Sequence, residues 1–292
     1  TYLIWAGEQF GVVDPGRASD SDAFIEELST HADLSKLSHV IITQSQPSHS
    51  EGLKALLDTQ PELTVVASPG GMIFLKHVLN RSFKNFEARP GSTLSLGEIT
   101  VSFTHAPNLP WPDAMLPLVS PDQVLLSGGV FSAHYCSEEV FTDEVLEPSR
   151  YQEAFYEQYY WIFHPHHPFV HRVMQQLEKQ EIRMVAPAFG PIDRADASAP
   201  IKDYLNWSEP EGKDAHKVTL VYVSAHGYTA HIAGRIAEHL TSYGYTPQLI
   251  NLTESDVNTA IHEINTSAAF LVGSPTIACD AVPPVWDLLT RL

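Results

Sequence analysis

The sequence has few cysteines and no long apolar run, and both absences exclude classes of protein. Its 292 residues include 2 cysteines, Cys136 and Cys279, too few and too far apart for a disulfide framework or a zinc ribbon. We therefore expect a reducing compartment, the cytoplasm, and interpret both cysteines as packing residues. The apolar stretches are far shorter than the roughly 20 residues that a membrane span needs, so no membrane span is predicted.

Basic residues are also scarce. Lys plus Arg number 17 against 35 for Asp plus Glu, and the formal net charge is −18. A chain this acidic repels phosphate backbones, which makes nucleic acid a poor partner.

The chain starts at Thr1 inside a strand-like run and stops in a helix-like run, Val285 to Leu292. We interpret it as a fragment of a longer protein.

The first part of the chain, 1–208, mixes strands, hairpins and helices. Apolar alternation predicts strands at Tyr2 to Trp5, Val12 to Val13, His39 to Ile42, Val65 to Ala67 and Arg183 to Pro187, and a hairpin at Thr93 to Phe103 that turns at Gly97. Helical spacing predicts helices at Asp22 to Leu28, Met72 to Leu79 and Arg172 to Gln180. This order is typical of an αββα sandwich.

The residue pattern of the sequence changes after residue 208, and this change separates a second domain, 218–292, from the first. Residues 209–217 are charged, contain Pro and Gly, have no apolar period and are predicted to be a linker. Strands are then predicted at Val218 to Val223, Gln248 to Leu252 and Ala268 to Val272, and a helix that stops at Gly244 follows the first of them. The regular β-α-β-α-β alternation indicates a doubly wound parallel sheet, which binds ligands at the carboxyl ends of its strands.

Two loops fall on that ligand-binding edge, one after the first strand and one after the third. The first is Ser224-Ala-His-Gly-Tyr-Thr229, in which hydroxyls and a helix N-terminus suit a phosphate without any Lys or Arg. Walker and Rossmann glycine patterns are missing. The spacing Ser-x-x-Gly-x-Thr resembles the phosphate loop of flavodoxins, and Gly273-Ser-Pro-Thr-Ile277 resembles their second flavin loop. A serine-rich turn that merely caps a helix is the alternative for either loop.

The resemblance implies FMN as cofactor and a partial flavodoxin-like domain, since the second half of such a sheet is absent from the sequence. The residues implied in FMN binding are Ser224, Ala225, His226, Gly227, Tyr228, Thr229, Ser274, Pro275, Thr276 and Ile277. His226 and Tyr228 either stack near the flavin or project into solvent.

The loop after the strand His39 to Ile42 resembles a metal-binding loop that has lost its ligands. Metallo-β-lactamase-like folds place a His-x-(His/Glu)-x-Asp-His run there, and the matching positions are Gln44, Gln46, Ser48 and His49. Amides and hydroxyls are poor ligands for iron or zinc. His49 alone has a ligand side chain, and we interpret it as a hydrogen-bonded remnant.

Both halves together resemble the flavodiiron proteins, also called A-type flavoproteins. Leu109-Pro-Trp-Pro-Asp-Ala-Met115 is similar to that family's Leu-His-Trp-Pro-Asp-Ser-Met stretch, and weaker matches are Ser127 to Phe131 and Ala186 to Ile192. The family's seven diiron ligands fall on Gln44, Gln46, Ser48, His49, Pro110, Gly129 and Phe189. The resemblance therefore implies a vestigial pocket without a diiron centre, as in some members of the photosynthetic class.

Other histidines are the alternative source of metal ligands. His164, His166, His167 and His171 form a dense group, with His105 and His134 near the loops in question. His167 and His171 are four residues apart, a ligand spacing on a helix. No carboxylate accompanies them at regular spacing, and we interpret them as surface or capping residues.

The resemblance implies an electron-transfer flavoprotein of an oxygen-reducing system. Photosynthetic members carry a further flavin reductase domain, take electrons from NAD(P)H, reduce oxygen to water and protect photosystem I. Members pair head to tail, so a homologous iron-bearing partner is implied. A regulatory or structural subunit without catalytic flavin use is the second hypothesis. A metallo-hydrolase of the lactamase superfamily is the third, and it needs the missing ligands.

Overall fold

The computed structural model describes residues 1–209 and 212–292, which divide into two compact units, Thr1–Glu209 and Pro210–Leu292. The predicted linker, 209–217, includes residues 210 and 211, which lie outside the described residues. Its last four residues do not form a linker, because the strand Asp214–Tyr222 already includes them.

Two five-stranded sheets form the first unit. Its strands are β1 (Tyr2–Ala6), β2 (Gln9–Val13), β3 (Leu37–Ile41), β4 (Thr64–Ala67), β5 (Lys84–Glu87), β6 (Thr93–Leu96), β7 (Ile99–His105), β8 (Met115–Ser120), β9 (Val124–Gly128) and β10 (Met184–Pro187). The first sheet has the order β1-β2-β3-β4-β5 and is parallel from β2 onward. The second has the order β10-β9-β8-β7-β6, with β9 and β10 parallel and the remaining pairs antiparallel.

Helices cover the outer face of each sheet. They are α1 (Ser21–His31), α3 (Leu53–Thr59), α4 (Pro69–Leu79), α5 (Pro148–Gln158), α6 (His167–Leu177) and α7 (Ala199–Trp207). A short helix, α2 (Pro47–Ser50), lies in the loop that follows β3. Shorter turns are Ala18–Asp20, Leu34–Lys36, Thr142–Glu144, Tyr159–Phe163 and His164–His166.

Three apolar clusters show how these layers stack. Ile41 and Val66 of the first sheet pack with Val101 and Met115 of the second, so this core lies between the sheets. A second cluster joins the first sheet to α1, α3 and α4. A third joins the second sheet to α5, α6 and α7. The layer order is therefore the predicted αββα sandwich.

The second unit is a three-stranded parallel sheet with the order β12-β11-β13. Its strands are β11 (Asp214–Tyr222), β12 (Thr246–Asn251) and β13 (Ser267–Gly273), and its helices are α8 (Tyr228–Ser242), α9 (Val257–Asn265) and α10 (Pro283–Arg291). The first strand lies in the middle, as in a doubly wound flavodoxin-like sheet. The predicted β-α-β-α-β alternation is confirmed.

Helix starts are the main difference from the sequence prediction. The observed α4 and α6 begin at Pro69 and His167, earlier than the predicted Met72 and Arg172, and α6 ends at Leu177 rather than Gln180. In both helices a proline occupies the first turn, where its missing N–H costs nothing. The unpredicted helices α5 and α7 also have a first-turn proline.

Three strands were also missed, and both cysteines were interpreted wrongly. Strands β5, β8 and β9 were not predicted, and β8 contains Pro117, a residue that usually argues against an interior strand. Cys136 and Cys279 are exposed, so they are not packing residues. In the described ranges, 1–209 and 212–292, no helix has the length and apolar character to cross a membrane.

Candidate functional site

Several loops of the first unit meet at one edge of the sandwich. Asp14 follows β2, Thr43 follows β3, Pro110 lies in the loop after β7, Gly129 follows β9 and Phe189 follows β10. The amide N–H of Met115 donates to the carbonyl oxygen of Thr43 at 2.8 Å, which connects the two sheets here. The carboxyl ends of these strands therefore form a single candidate site.

The buried carboxylate of Asp14 organises the start of this site. It accepts hydrogen bonds from the Thr43 amide at 2.8 Å and the Thr43 hydroxyl at 2.6 Å. His49 Nδ1 lies 2.8 Å from Asp14 Oδ2, and both side chains are buried. His49 is thus held by a carboxylate 35 positions earlier in the chain. Sequence reasoning missed this role, and the one available signal was an acidic residue at the end of an apolar strand.

Gln44, Gly129 and Pro110 are brought close together. A Cβ added to Gly129 would lie 3.6 Å from Gln44 Nε2 and 3.7 Å from Pro110 Cδ. Gln44 Nε2 donates to Gln46 Oε1 at 3.0 Å, so the two amides are bonded to one another. Three predicted ligand positions on separate loops therefore converge, but none has a carboxylate, imidazole or thiolate.

The loop after β9 is fixed by its own hydroxyls and by the tight approach of Gly128. Ser127 donates to the Val130 carbonyl at 2.6 Å and Ser132 to the Gly128 carbonyl at 3.1 Å. A Cβ on Gly128, which has φ +55°, would come within 2.7 Å of the Thr43 hydroxyl. The void bounded by Asp14, Thr43 and Gly128 measures about 10 Å³, room for at most one water.

Phe189 and Ser48, the remaining predicted ligand positions, also lack metal ligands. The Phe189 ring stacks on the exposed His134 ring with centroids 4.6 Å apart. Ser48 is half-buried in the short helix α2. His105 is engaged elsewhere, because its Nε2 lies 2.8 Å from the Ala88 carbonyl oxygen.

A second buried carboxylate, Asp113, supports the same loop from the other side. It accepts hydrogen bonds from the Ser45 amide at 2.8 Å and hydroxyl at 3.0 Å. Burial raises the pKa of Asp113, although the hydrogen bonds from Ser45 oppose that shift. Trp111 Nε1 donates to the Ser45 hydroxyl at 3.1 Å. The Trp-Pro-Asp stretch therefore positions the loop.

These residues do not fit a diiron centre. Iron takes imidazole nitrogen and carboxylate ligands, whereas the seven predicted ligand positions offer two amides, a hydroxyl, a proline ring, a glycine, a phenyl ring and one imidazole. That imidazole, His49, is bonded to Asp14. The two nearby carboxylates are already used by backbone and hydroxyl donors. Across 1–209 and 212–292, no group of three or more His, Cys, Asp or Glu side chains is placed to hold a metal ion.

The histidines of the group at 164–171 make hydrogen bonds and ring contacts with neighbouring side chains. His167 and His171 both belong to α6. His171 Nε2 lies 3.1 Å from Gln175 Nε2, and its Nδ1 lies 3.4 Å from the Ser208 hydroxyl. His164 stacks between Tyr160 and His167. His171 therefore takes part in hydrogen bonds and His164 in ring stacking.

The second unit brings the two predicted flavin loops to neighbouring strand ends. The loop Ser224–Thr229 follows the central strand β11 and leads into α8, and the loop Ser274–Ile277 follows the adjacent β13. The Val223 amide donates to the Gly273 carbonyl at 3.0 Å, which couples the two loops. A Cβ on Gly273 would lie 3.2 Å from Thr229 Cγ2 and 3.3 Å from Tyr222 Cβ. Only a residue without a side chain permits so close an approach without rearrangement.

The start of α8 has the features of an anion site. Gly227, with φ +82°, precedes the helix, and a Cβ there would meet nothing within 4 Å. The Ser224 hydroxyl accepts from the Ala230 amide at 3.2 Å, which folds the loop over the helix start. The positive end of the helix dipole therefore faces an open loop. His226 and Tyr228 are exposed, and the Tyr228 side chain is 79% accessible.

The second loop is closed by a tight turn beyond Ile277. Ile277 and Asp280 exchange backbone hydrogen bonds of 3.0 and 3.1 Å around Ala278 and Cys279, which both have positive φ. The Ser274 hydroxyl accepts from the Val282 amide at 3.2 Å. Ser274 therefore secures the loop, while Thr276 and Ile277 are exposed beside it.

Comparison with known proteins gives matches to both units. The family model described as "ODP family beta lactamase" matches residues 1–190. The Flavo-diiron protein FprA2 of Clostridium acetobutylicum is 28% identical over 294 residues, which cover 99% of this chain and 73% of FprA2. The Diflavin flavoprotein A 1 of Synechocystis sp. is 26% identical over 96% of this chain but 49% of its own length. This chain thus spans about half of that relative.

A solved structure agrees with these sequence matches. The metal-soaked Flv1 flavodiiron core from Synechocystis sp. superposes with a TM-score of 0.68 at 27% identity, over 99% of this chain and 72% of that one. The match therefore extends across both units, beyond the residues that the family model covers.

The central role of Asp14 leads to a prediction about stability. We expect Asp14→Ala to lower the free energy of unfolding by about 3 kcal/mol, because three buried donors lose their acceptor. Urea denaturation followed by tryptophan fluorescence measures this change. Asp58→Ala is the matched control, since Asp58 is an exposed partner of Arg81 and its loss costs roughly 0 to 1 kcal/mol. Equal midpoints for the two variants would contradict the assigned role.

Proposed function

Because this chain belongs to the ODP family of beta-lactamase-like proteins and to the flavodiiron proteins, we propose that it is an electron-transfer flavoprotein serving oxygen reduction at a partner's iron. Flavodiiron proteins are oxidoreductases that use flavin and a diiron centre. The proposal keeps the flavin for this chain and assigns the iron to a homologous subunit.

One observation carries the proposal. Gln44, Gly129 and Pro110 converge where family members place metal ligands, and they offer an amide, a bare backbone and a pyrrolidine ring. These three positions offer iron no carboxylate, imidazole or thiolate ligand. Loss of the carboxylates is also chemically consistent, since clustered carboxylates without a metal repel one another and raise their pKa values.

The second unit supports retention of FMN. Ser224, Gly227 and Thr229 at the start of α8 would hold its phosphate, and Thr276 and Ile277 at the end of β13 would lie beside it. When bound, FMN supplies the capacity to accept and pass on electrons one or two at a time. The exposed side chains of His226 and Tyr228 would either stack near the flavin ring or project into solvent.

The electrons are proposed to come from NAD(P)H through a reductase domain that lies outside this chain. Each oxygen molecule takes four electrons and four protons to give two molecules of water, so two NAD(P)H and two further protons are consumed. The matches to cyanobacterial diflavin flavoproteins support a photosynthetic setting in which such a system protects photosystem I. Two exposed free cysteines are consistent with a reducing cytoplasm.

The partner is proposed to be a flavodiiron chain that retains its ligands. Pairing head to tail would place the flavin of this chain beside the metal pocket of the partner. A regulatory or structural subunit, whose flavin is not used in turnover, is the second candidate. The absence of ligand side chains at the converging positions favours both of these roles, electron transfer and regulation, over that of a subunit that reduces oxygen by itself.

Flavin affinity gives the first test. We expect Thr229→Val to weaken FMN binding about tenfold, which corresponds to roughly 1.4 kcal/mol for a hydrogen bond to a charged phosphate. Quenching of flavin fluorescence during titration of the complete protein measures the dissociation constant. Thr241→Val, at the other end of α8, is the control because its hydroxyl bonds only the Ala237 carbonyl. Equal affinities in the two variants would contradict the proposed loop.

Metal content gives the second test. Elemental analysis of complete protein, expressed with ample iron, is expected to find close to zero iron and zinc per chain, because the converging positions carry no ligand side chains. About two irons per chain would contradict the vestigial pocket and require ligands from elsewhere, with the histidines as the first candidates.

Oxygen consumption gives the third test and separates the two candidate roles. A mixture with an iron-bearing homologue is expected to consume oxygen faster than either complete protein alone. Bulky substitutions at Thr229 and Thr276 together are expected to abolish that gain. An unchanged gain would favour the structural role, and no gain from mixing would contradict the division of labour.

A further inference from the structure

The turn that closes the second predicted flavin loop has an unfavourable backbone conformation. Ala278 and Cys279 have φ of +53° and +66°, and neither is the Asn, Asp or Gly that favours two consecutive positions of this kind. A residue with a Cβ pays a steric cost in the left-handed region. The turn therefore depends on contacts from outside its own backbone to keep this shape.

The side chain of Asp280 supplies such contacts. Its Oδ1 accepts from the Ala281 amide at 2.7 Å and from Trp286 Nε1 at 3.2 Å. Trp286 belongs to α10, whose buried Leu288 packs in the core of the second unit with Ile250. Asp280 thus ties the turn to a helix that is fixed in that core.

Ser274 makes a second connection between the same loop and the start of α10. Its hydroxyl accepts from the Val282 amide at 3.2 Å and donates to the Pro275 carbonyl at 2.9 Å. The hydroxyl proton is already used, so Ser274 secures the loop rather than donating to a ligand. Ser274 and Asp280 together hold both ends of the loop.

The composition of the turn suits the ring of FMN rather than its phosphate. Residues 277–282 contain no Lys, Arg, Ser or Thr, and their one charged residue, Asp280, is acidic. An acidic group repels a phosphate, whereas Ile277, which is 55% exposed, offers apolar surface to an aromatic ring. The hydroxyls and amides proposed for the phosphate lie instead at the start of α8.

We propose that Asp280 and Trp286 are positioning residues for the flavin, an inference that rests on the proposed binding of FMN. They hold the turn after Ile277 in the shape that receives the ring, without touching the flavin themselves. A loop that is ordered in advance spares the binding step the cost of ordering it. Loss of the Asp280 acceptor restores that cost, so the dissociation constant of the flavin rises.

Titration of the complete protein with FMN and with riboflavin, which lacks the phosphate, tests this role. Asp280→Ala is expected to raise the dissociation constants of both flavins by the same factor, about tenfold. Thr229→Val is expected to raise that of FMN alone, because Thr229 is assigned to the phosphate. Quenching of flavin fluorescence measures all four constants.

Conservative variants separate the two hydrogen bonds from the charge. Asp280→Asn keeps an oxygen acceptor for both donors and is expected to stay within about twofold of the wild-type affinity. Trp286→Phe removes one donor and is expected to weaken both flavins about threefold. Asp287→Ala is the matched control, because it removes a carboxylate from α10 whose partner is Arg291 of the same helix, and it leaves both affinities unchanged.

The outcomes distinguish this inference from the proposed function. Equal flavin affinity in the wild type and Asp280→Ala overturns the positioning role and leaves FMN binding intact. A loss for FMN without one for riboflavin also overturns it, since the turn would then act on the phosphate. An Asp280→Asn variant as weak as Asp280→Ala overturns it too, because the charge would be the cause. Failure of the wild type to bind either flavin contradicts the proposed function itself.

Discussion

The carboxylate of Asp14 is the interaction on which the site edge depends. It is buried at the end of β2 and satisfies the amide and hydroxyl of Thr43 and the ring of His49. An unpaired carboxylate in that position would cost several kcal/mol, so the three donors must stay in place. Thr43 in turn approaches Gly128 and bonds Met115. One buried charge therefore connects the loops of both sheets.

The two units show opposite outcomes of the same architectural rule. Parallel strands deliver their following loops to one edge, where ligands are expected. In the first unit that edge presents Gln44, whose amide donates to Gln46, together with Gly129 and Pro110, which have no donor side chain. In the second unit it presents Ser224, Gly227 and Thr229 at an open helix start. Fold alone thus does not decide the chemistry, because the side chains at the strand ends do.

Local patterns predicted most of the elements. The hairpin that turns at Gly97 and the alternation from β11 to β13 are confirmed, because apolar periodicity reports directly on which face is buried. Proline accounts for several of the failures, although β5 and β9, which contain no proline, were also missed. Pro117 hid β8 within the second sheet, and first-turn prolines delayed or hid α4, α5, α6 and α7. At these positions tertiary packing and helix-end geometry outweigh the average effect of proline.

By itself, the sequence determined which chemical groups each candidate site offers, because the groups that bind a ligand depend on side-chain identity. The seven positions aligned with diiron ligands include one imidazole and no carboxylate, and the two loops of the second unit are rich in hydroxyls and glycine. The tertiary structure decided which residues meet. The bond between Asp14 and His49 and the convergence of Gln44 with Gly129 join residues far apart in sequence. Burial and hydrogen-bond partners are long-range properties, which no local pattern contains.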